Sequence, residues 1–300
     1  MIALLFPGQG AQTVGMGRAL AQAVPAARQA FEEAGEALGY DLARICFEGP
    51  QERLTATDVC QPAILATSIA ALRAAAEVGL AGDLVLGHSL GEYSALVAAG
   101  AIGYADALRL VAERGAAMHA AGLARPGTMA ALLGASDADA EALCAAAGDV
   151  WPANYNCPGQ VVASGTLDGI ARLLDLAAAR GIRAARLQVG GAFHSPLMAP
   201  AADRLRPALA AWRPAPPAPP FLSTTTVAVE PAERLPEVLL EQLLAPVRFG
   251  AAVEEALRMG VTRFVELGPG KVLSGLVRRV RRDVEVAQVG TPEDLEKVLA

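Results

Sequence analysis

Three short runs of this chain are apolar at nearly every position: IALLF from residue 2, DLVLG ending at 87, and RFVELG from 263. A strand with one wet face alternates apolar and polar residues, whereas one buried on both faces reads as an unbroken run. Longer alanine-rich stretches of helical spacing lie between them. Buried strands alternating with helices predict an α/β fold with a parallel sheet covered on both faces. The stretch from 125 to 190 follows another order. TMAALLG reads as a strand, and SDADAEALCAAAG as a helix with Ser136 or Asp137 as N-cap and Gly148 just past its end. VWPANY and QVVASG are strands joined by the turn signal NCPG; TLDGIARLLDLAAARG is a second helix and RAARLQV a last strand. The order β-α-β-β-α-β is that of a ferredoxin-like unit, here a compact insert in a larger α/β domain. The proline-rich RPAPPAPP at 213–220 predicts an extended surface segment, with strand-like FLSTTT after it.

Three hundred residues, 53% hydrophobic and 19% charged, describe a globular chain with a sizeable core. A net charge of −6 argues against a general nucleic-acid binder. The one basic cluster, Arg278, Arg279, Arg281 and Arg282, reads either as the solvated face of a helix or as a dock for an acidic partner. Cys46, Cys60, Cys144 and Cys157 have no metal-ligand spacing; at least three read as core thiols, and Cys157, in a polar loop, stays open. No apolar run reaches the ~18 residues of a membrane span, and the opening MIALLFPGQG lacks the marks of a secretory leader. The expectation is a soluble cytoplasmic protein.

Chemistry enters at VLGHSLGEYS, residues 85–94. Glycine is one residue in ten, so chance supplies only about 0.08 GxSxG matches among eight serines. A strand before and a helical pattern after make Ser89 the tip of a nucleophile elbow, where side chains at 87 and 91 would collide. A serine hydroxyl needs a base. Among three histidines, His88 adjoins Ser89 and points away from it, and His119 sits late in a helix. His194, in GGAFHSPLM where the chain returns from the insert, is the candidate base. No carboxylate stands out as a third member; Asp106, Asp137 and Asp139 all begin helices, and a backbone carbonyl would serve instead. The Leu90 amide supplies one oxyanion donor. FPGQG, with Gln9 between glycines, offers a second or is an ordinary turn. GPGK at 268–271 is no phosphate loop, because Val265 and Val272 stand where glycine and Ser/Thr are required.

Together LFPGQGAQ, GHSLGEYSALVAAG, VAERGAAM, NYNCPGQVVASG, AFHSPLM, APVRF and VELGPGKVLSGL resemble, in order and over nearly the whole chain, the malonyl-CoA:acyl carrier protein transacylase family. That family is related to polyketide synthase acyltransferase domains. The resemblance implies a hydrolase-like core formed by 1–124 and 191–300, a ferredoxin-like subdomain at 125–190, and a site in the cleft between them. It implies Ser89 as the acyl-carrying nucleophile, His194 as base, and the amides of Gln9 and Leu90 as oxyanion hole. It implies a main-chain carbonyl at Arg248 orienting the histidine. It further implies Arg114, Met118 and Phe193 in substrate binding, with Arg114 on the malonyl carboxylate. An arginine matches a carboxylate with two parallel hydrogen bonds; a surface arginine paired with Glu113 is the competing reading. Phe193 shapes the acyl pocket or simply packs the core. The substrates implied are malonyl-CoA and holo acyl carrier protein, with no cofactor and a monomeric enzyme. A serine esterase or thioesterase shares the elbow and base without needing the buried arginine, and a binding scaffold would tolerate loss of Ser89.

Overall fold

A computed structural model describes residues 1–298. Four parallel strands form the first sheet in the order β2-β1-β7-β8: β1 Ile2–Phe6, β2 Leu84–Gly87, β7 Arg263–Leu267 and β8 Glu285–Val289. Strand β1 explains the unbroken apolar run. Its Ala3 and Leu5 enter one core cluster, and its Leu4 and Phe6 enter the other, on the opposite face. Each buried leucine or phenylalanine there contributes roughly 1.5–3 kcal/mol. FLSTTT forms no regular strand. Only single bridges, Val85 to Phe221 and Leu222 to Val229, connect it to its surroundings, and a turn occupies the rest.

The second sheet is antiparallel, in the order β4-β5-β3-β6, with β3 Gly127–Leu133, β4 Val150–Cys157, β5 Gln160–Thr166 and β6 Arg183–Arg186. Helices Asp137–Ala147 and Leu167–Ala179 complete the β-α-β-β-α-β order. The alternation of strand residues divides the work. Ala130, Leu132, Val161 and Ala163 pack on those helices, whereas Met129, Ala131 and Val162 join the main core. Ser136 caps the first helix by accepting from the Asp139 amide, and Gly148 ends it. Strand β4 is tied to the larger unit by a bridge in which the Tyr155 amide donates to Val247 O and the Val247 amide to Ala153 O, each at 2.8 Å.

One helix, Thr57–Glu77, does have the length and mean hydropathy (1.4) to cross a membrane, contrary to the expectation from apolar runs. Most of it is buried in the protein, 83% of the apolar window, which accounts for its composition as a core helix. All four cysteines are buried and unpaired, Cys157 included.

Candidate active site

The elbow is built by glycines, and the structure shows what they avoid. A Cβ on Gly87 would lie 2.0 Å from the Gly91 carbonyl carbon, and one on Gly91 would lie 1.9 Å from Phe6 O. Gly8 of the FPGQG loop is equally confined, its Cβ position 2.4 Å from His88 O. The loops after β1 and β2 are therefore in backbone contact. Ser89 has φ of 52°, in the left-handed region that non-glycine residues rarely adopt. His194 shares that strain at 57°. Ser195 secures the histidine's loop, its hydroxyl donating to Ala192 O at 2.6 Å and accepting from the Leu197 amide.

Ser89 Oγ and His194 Nε2 are 2.8 Å apart, although 105 residues separate them in sequence. Both are buried. Burial first, and then the positive charge of Arg114, push His194 down to about 3, so the imidazole is neutral and able to accept a proton. His88 turns away, as its position predicts: its Nε2 pairs with Asn156 Oδ1 at 2.9 Å, joining the elbow to β4.

The carbonyl that orients the base is not that of Arg248. His194 Nδ1 bonds Gln242 O at 2.8 Å. Gln242 directly follows the helix Leu235–Glu241, where terminal carbonyls lack helical partners and are free to accept. The Arg248 carbonyl is committed, because Arg248 is the N-cap of helix Phe249–Arg258 and its oxygen accepts from the Ala252 amide at 3.0 Å. Its side chain lines a separate groove with Tyr155, Glu141 and Glu254.

Arg114, on helix Tyr104–Ala124, is 1% exposed and makes no pair with Glu113. Its guanidinium donates to Gln61 Oε1 at 2.5 Å, Gln242 Oε1 at 3.0 Å and Ser89 Oγ at 3.2 Å, and it stands over the Tyr93 ring. Its Nε finds no partner. Among the described residues, no carboxylate reaches it within ion-pair distance. A cavity of about 310 Å³ opens on Ser89 and His194 and is lined also by Gln9, Met118, Met129, Asn154 and Phe193; Arg114 lies behind Ser89, in contact with its Oγ. The structure thus gathers Gln9, Ser89, Arg114, Met118, Phe193 and His194. Leu90 is the N-cap of helix Gly91–Ala98; its amide and that of Gln9 make no hydrogen bond to any described residue.

Three buried polar residues in the hydrogen-bond chain running from Arg114 escaped sequence reasoning: Gln61, Gln242 and, through Gln242, Glu92. Glu92 did carry a signal, as the one charge in the helix GEYSALVA. FLSTTT acquires a role beside it, since Ser223 and Thr224 donate hydrogen bonds to the Glu92 carboxylate. In the basic cluster, Arg278 is held by Val286 O and Arg279 approaches Gln160 Oε1 at 3.5 Å, so two of its four arginines serve the chain's own packing.

Known proteins share this chain's sequence pattern and fold. The family model for the acyl transferase domain matches residues 3–292. The malonyl CoA-acyl carrier protein transacylase of Bacillus subtilis is 47% identical, covering 98% of this chain and 95% of that protein. The solved malonyl CoA-acyl carrier protein transacylase of Coxiella burnetii superposes with a TM-score of 0.96 at 37% identity, over 99% of this chain and 96% of that one. A malonyl-transacylase solved in complex with a type II polyketide acyl-carrier protein gives 0.96 at 40% identity, over 99% and 98%. With such agreement along its whole length, the chain belongs to the acyl transferase family, among the malonyl CoA-acyl carrier protein transacylases.

Proposed function

We infer that this chain transfers the malonyl group of malonyl-CoA to the phosphopantetheine thiol of acyl carrier protein, through an ester on Ser89. The observation that carries the reading is Arg114: a buried guanidinium without an ionised partner, 3.2 Å from the nucleophile. An acyl group ending in a carboxylate supplies the missing charge. An esterase for neutral acyl groups has no use for it.

In the first half-reaction Ser89 Oγ attacks the thioester carbonyl carbon and its proton passes to His194 Nε2. The developing oxyanion is held by the amides of Gln9 and Leu90, the donors assigned here; loss of one such donor typically lowers the rate ~10²–10³-fold. The carbon–sulfur bond breaks, and the departing CoA thiolate takes the proton from His194. In the second half the carrier thiol yields its proton to His194 and attacks the ester carbonyl, and Ser89 recovers its hydrogen as it leaves. Gln242 O holds the imidazole in the tautomer with its proton on Nδ1. Both halves are acyl and proton transfers, so the proposed enzyme uses no metal or redox cofactor. The proposal includes a monomer in the cytoplasm, without membrane or nucleic-acid partners, and a cleft between a large subdomain (1–124 and 191–300) and a small one (125–190). The acceptor we assign is the carrier of fatty-acid elongation. A type II polyketide carrier is the second reading, favoured by the solved complex of a 40% identical transacylase.

Intact mass spectrometry after mixing with malonyl-CoA tests this directly. A malonyl adduct absent from Ser89→Ala, and moving to added holo-carrier, is the expected result. An adduct that decays to free malonate at the same rate with and without carrier would make the protein a hydrolase. Rates with the two carriers side by side separate the pathways.

A further inference from the structure

Glu92 is fully buried, adjoins the reactive groups and touches neither substrate-facing atoms nor a cation. Its Oε1 accepts from the Ser223 hydroxyl at 3.1 Å, the Thr224 amide at 2.6 Å and the Thr224 hydroxyl at 2.9 Å. With that oxygen saturated, Oε2 has one partner, Gln242 Nε2 at 2.5 Å. All four donors point at a carboxylate, which when ionised accepts and never donates. Burial holds this carboxyl above the usual carboxylate range, and the four donors counter part of that rise.

The Gln242 amide stands between two buried charges of opposite sign. Its Nε2 donates to Glu92 and also to Ser89 O at 3.0 Å, while its Oε1 accepts from Arg114 Nη2 at 3.0 Å. A carboxamide has two faces of opposite hydrogen-bonding sense, and a half-turn exchanges them. With the carboxylate on one side, only one orientation makes all three bonds. The exchanged orientation would put the amide oxygen against the carboxylate and the NH₂ group against a guanidinium that has nothing to accept with. Arg114 is then aimed by two neutral acceptors, Gln242 and Gln61, and makes no direct ion pair.

We propose that Glu92 is a positioning residue: acting through the Gln242 amide, it fixes Arg114 in the pose that receives the acyl carboxylate, and so contributes to selection of malonyl over uncharged acyl groups. The proposal rests on Arg114 as the carboxylate ligand. Glu92→Gln keeps the shape but, with its amide oxygen held by Ser223 and Thr224, sets an NH₂ where Oε2 was, which cannot accept from Gln242 Nε2.

The readout is the ratio of kcat/KM for loading Ser89 from malonyl-CoA to that from acetyl-CoA, with Tm measured alongside. Glu92→Gln should lower the ratio roughly tenfold, about what one charge-assisted hydrogen bond supplies, with the loss concentrated in malonyl loading. The same substitution made in Gln242→Met should leave that variant's ratio unchanged, because the connection is already cut. Equal losses for both acyl groups, or a full further loss in the Gln242→Met background, would overturn the proposal. If Glu92→Gln does not fold, Glu92→Asp retains the charge on a shorter arm, and the ratio should fall by less than in Gln242→Met; an unchanged ratio counts against the proposal. Arg114→Ala is the control. If it leaves the ratio intact, the reading of Arg114 itself fails; if it collapses the ratio while Glu92→Gln does not, only the role of Glu92 falls.

Discussion

Both sheets have four strands, yet the reactive atoms cluster at one of them. In the parallel sheet β2-β1-β7-β8 the strands run together, so their carboxyl ends share an edge and the loops leaving β1 and β2 meet there. Those loops carry Gln9 and Ser89, and the helix following the elbow turns its N-terminal amides toward the nucleophile. The antiparallel sheet sends alternate strand ends to opposite edges and cannot gather loops in this way. It supplies walls instead: Met129 and Asn154 face the cavity, and Leu187, just past β6, joins them. Convergence of backbone ends makes a reaction centre, while a flat sheet face makes an enclosure.

Substitutions at the parallel-sheet edge should act on chemistry, and those on the antiparallel side on stability or fit. Arg114→Ala should show the largest effect, weakening malonyl loading by about 2–5 kcal/mol, much of it from leaving charge and acceptors unmatched; acetyl loading should suffer far less. Rapid-quench loading with both thioesters checks it, and equal losses would remove Arg114 from acyl selection. Asn156→Ala cuts the tie from the elbow to β4 and strands the His88 nitrogen, at a cost of about 1–3 kcal/mol in unfolding free energy. Denaturant titration measures this, and a loss of loading rate exceeding that of Arg114→Ala would break the division between the sheets.

The base sharpens the contrast through pH. Because His194 is held near 3 in the fold and near 6.5 when unfolded, its neutral form persists as pH drops below 6.5. The acid limb of kcat/KM for acetyl-CoA should accordingly lie well below 6.5, and should move to higher pH in Arg114→Ala, where the repelling charge is gone. The unfolded chain binds this proton first, so the histidine's contribution to stability is full above 6.5 and declines as pH falls from there toward 3. A limb at 6.5 in both proteins would contradict the burial argument. The smallest effect is expected for Arg248→Gln, within about twofold of wild type by steady-state assay, since that side chain lines a different groove.

What could be read from the sequence had local covalent logic. The elbow, its flanking glycines, the strand runs and the return loop of His194 are contiguous stretches whose residue types follow from one turn or one strand. The polar network has no such signature. Gln61, Glu92 and Gln242 lie on three separate helices or helix ends and meet only through tertiary packing. FLSTTT shows the same limit from the other side. Its β-favouring residues suggest a strand, but the hydroxyls of Ser223 and Thr224 are drawn onto a buried carboxylate that only the fold brings near. The resemblance points to the Arg248 carbonyl because it carries over a segment and not helix ends: Arg248 opens a helix, and the free carbonyl belongs to Gln242, at the end of the preceding one.

The position of β1 also bears on how the chain is made. It is an interior strand, paired on one side with β2, which lies 78 residues on from its end, and on the other with β7, whose first residue is Arg263. During synthesis the apolar IALLF leaves the ribosome well before Arg263, so one of its edges stays unpaired until β7 has followed. Such an edge invites pairing with other chains. Fragments ending before Arg263 should aggregate, and a chaperone that shields β1 should act early and let go late.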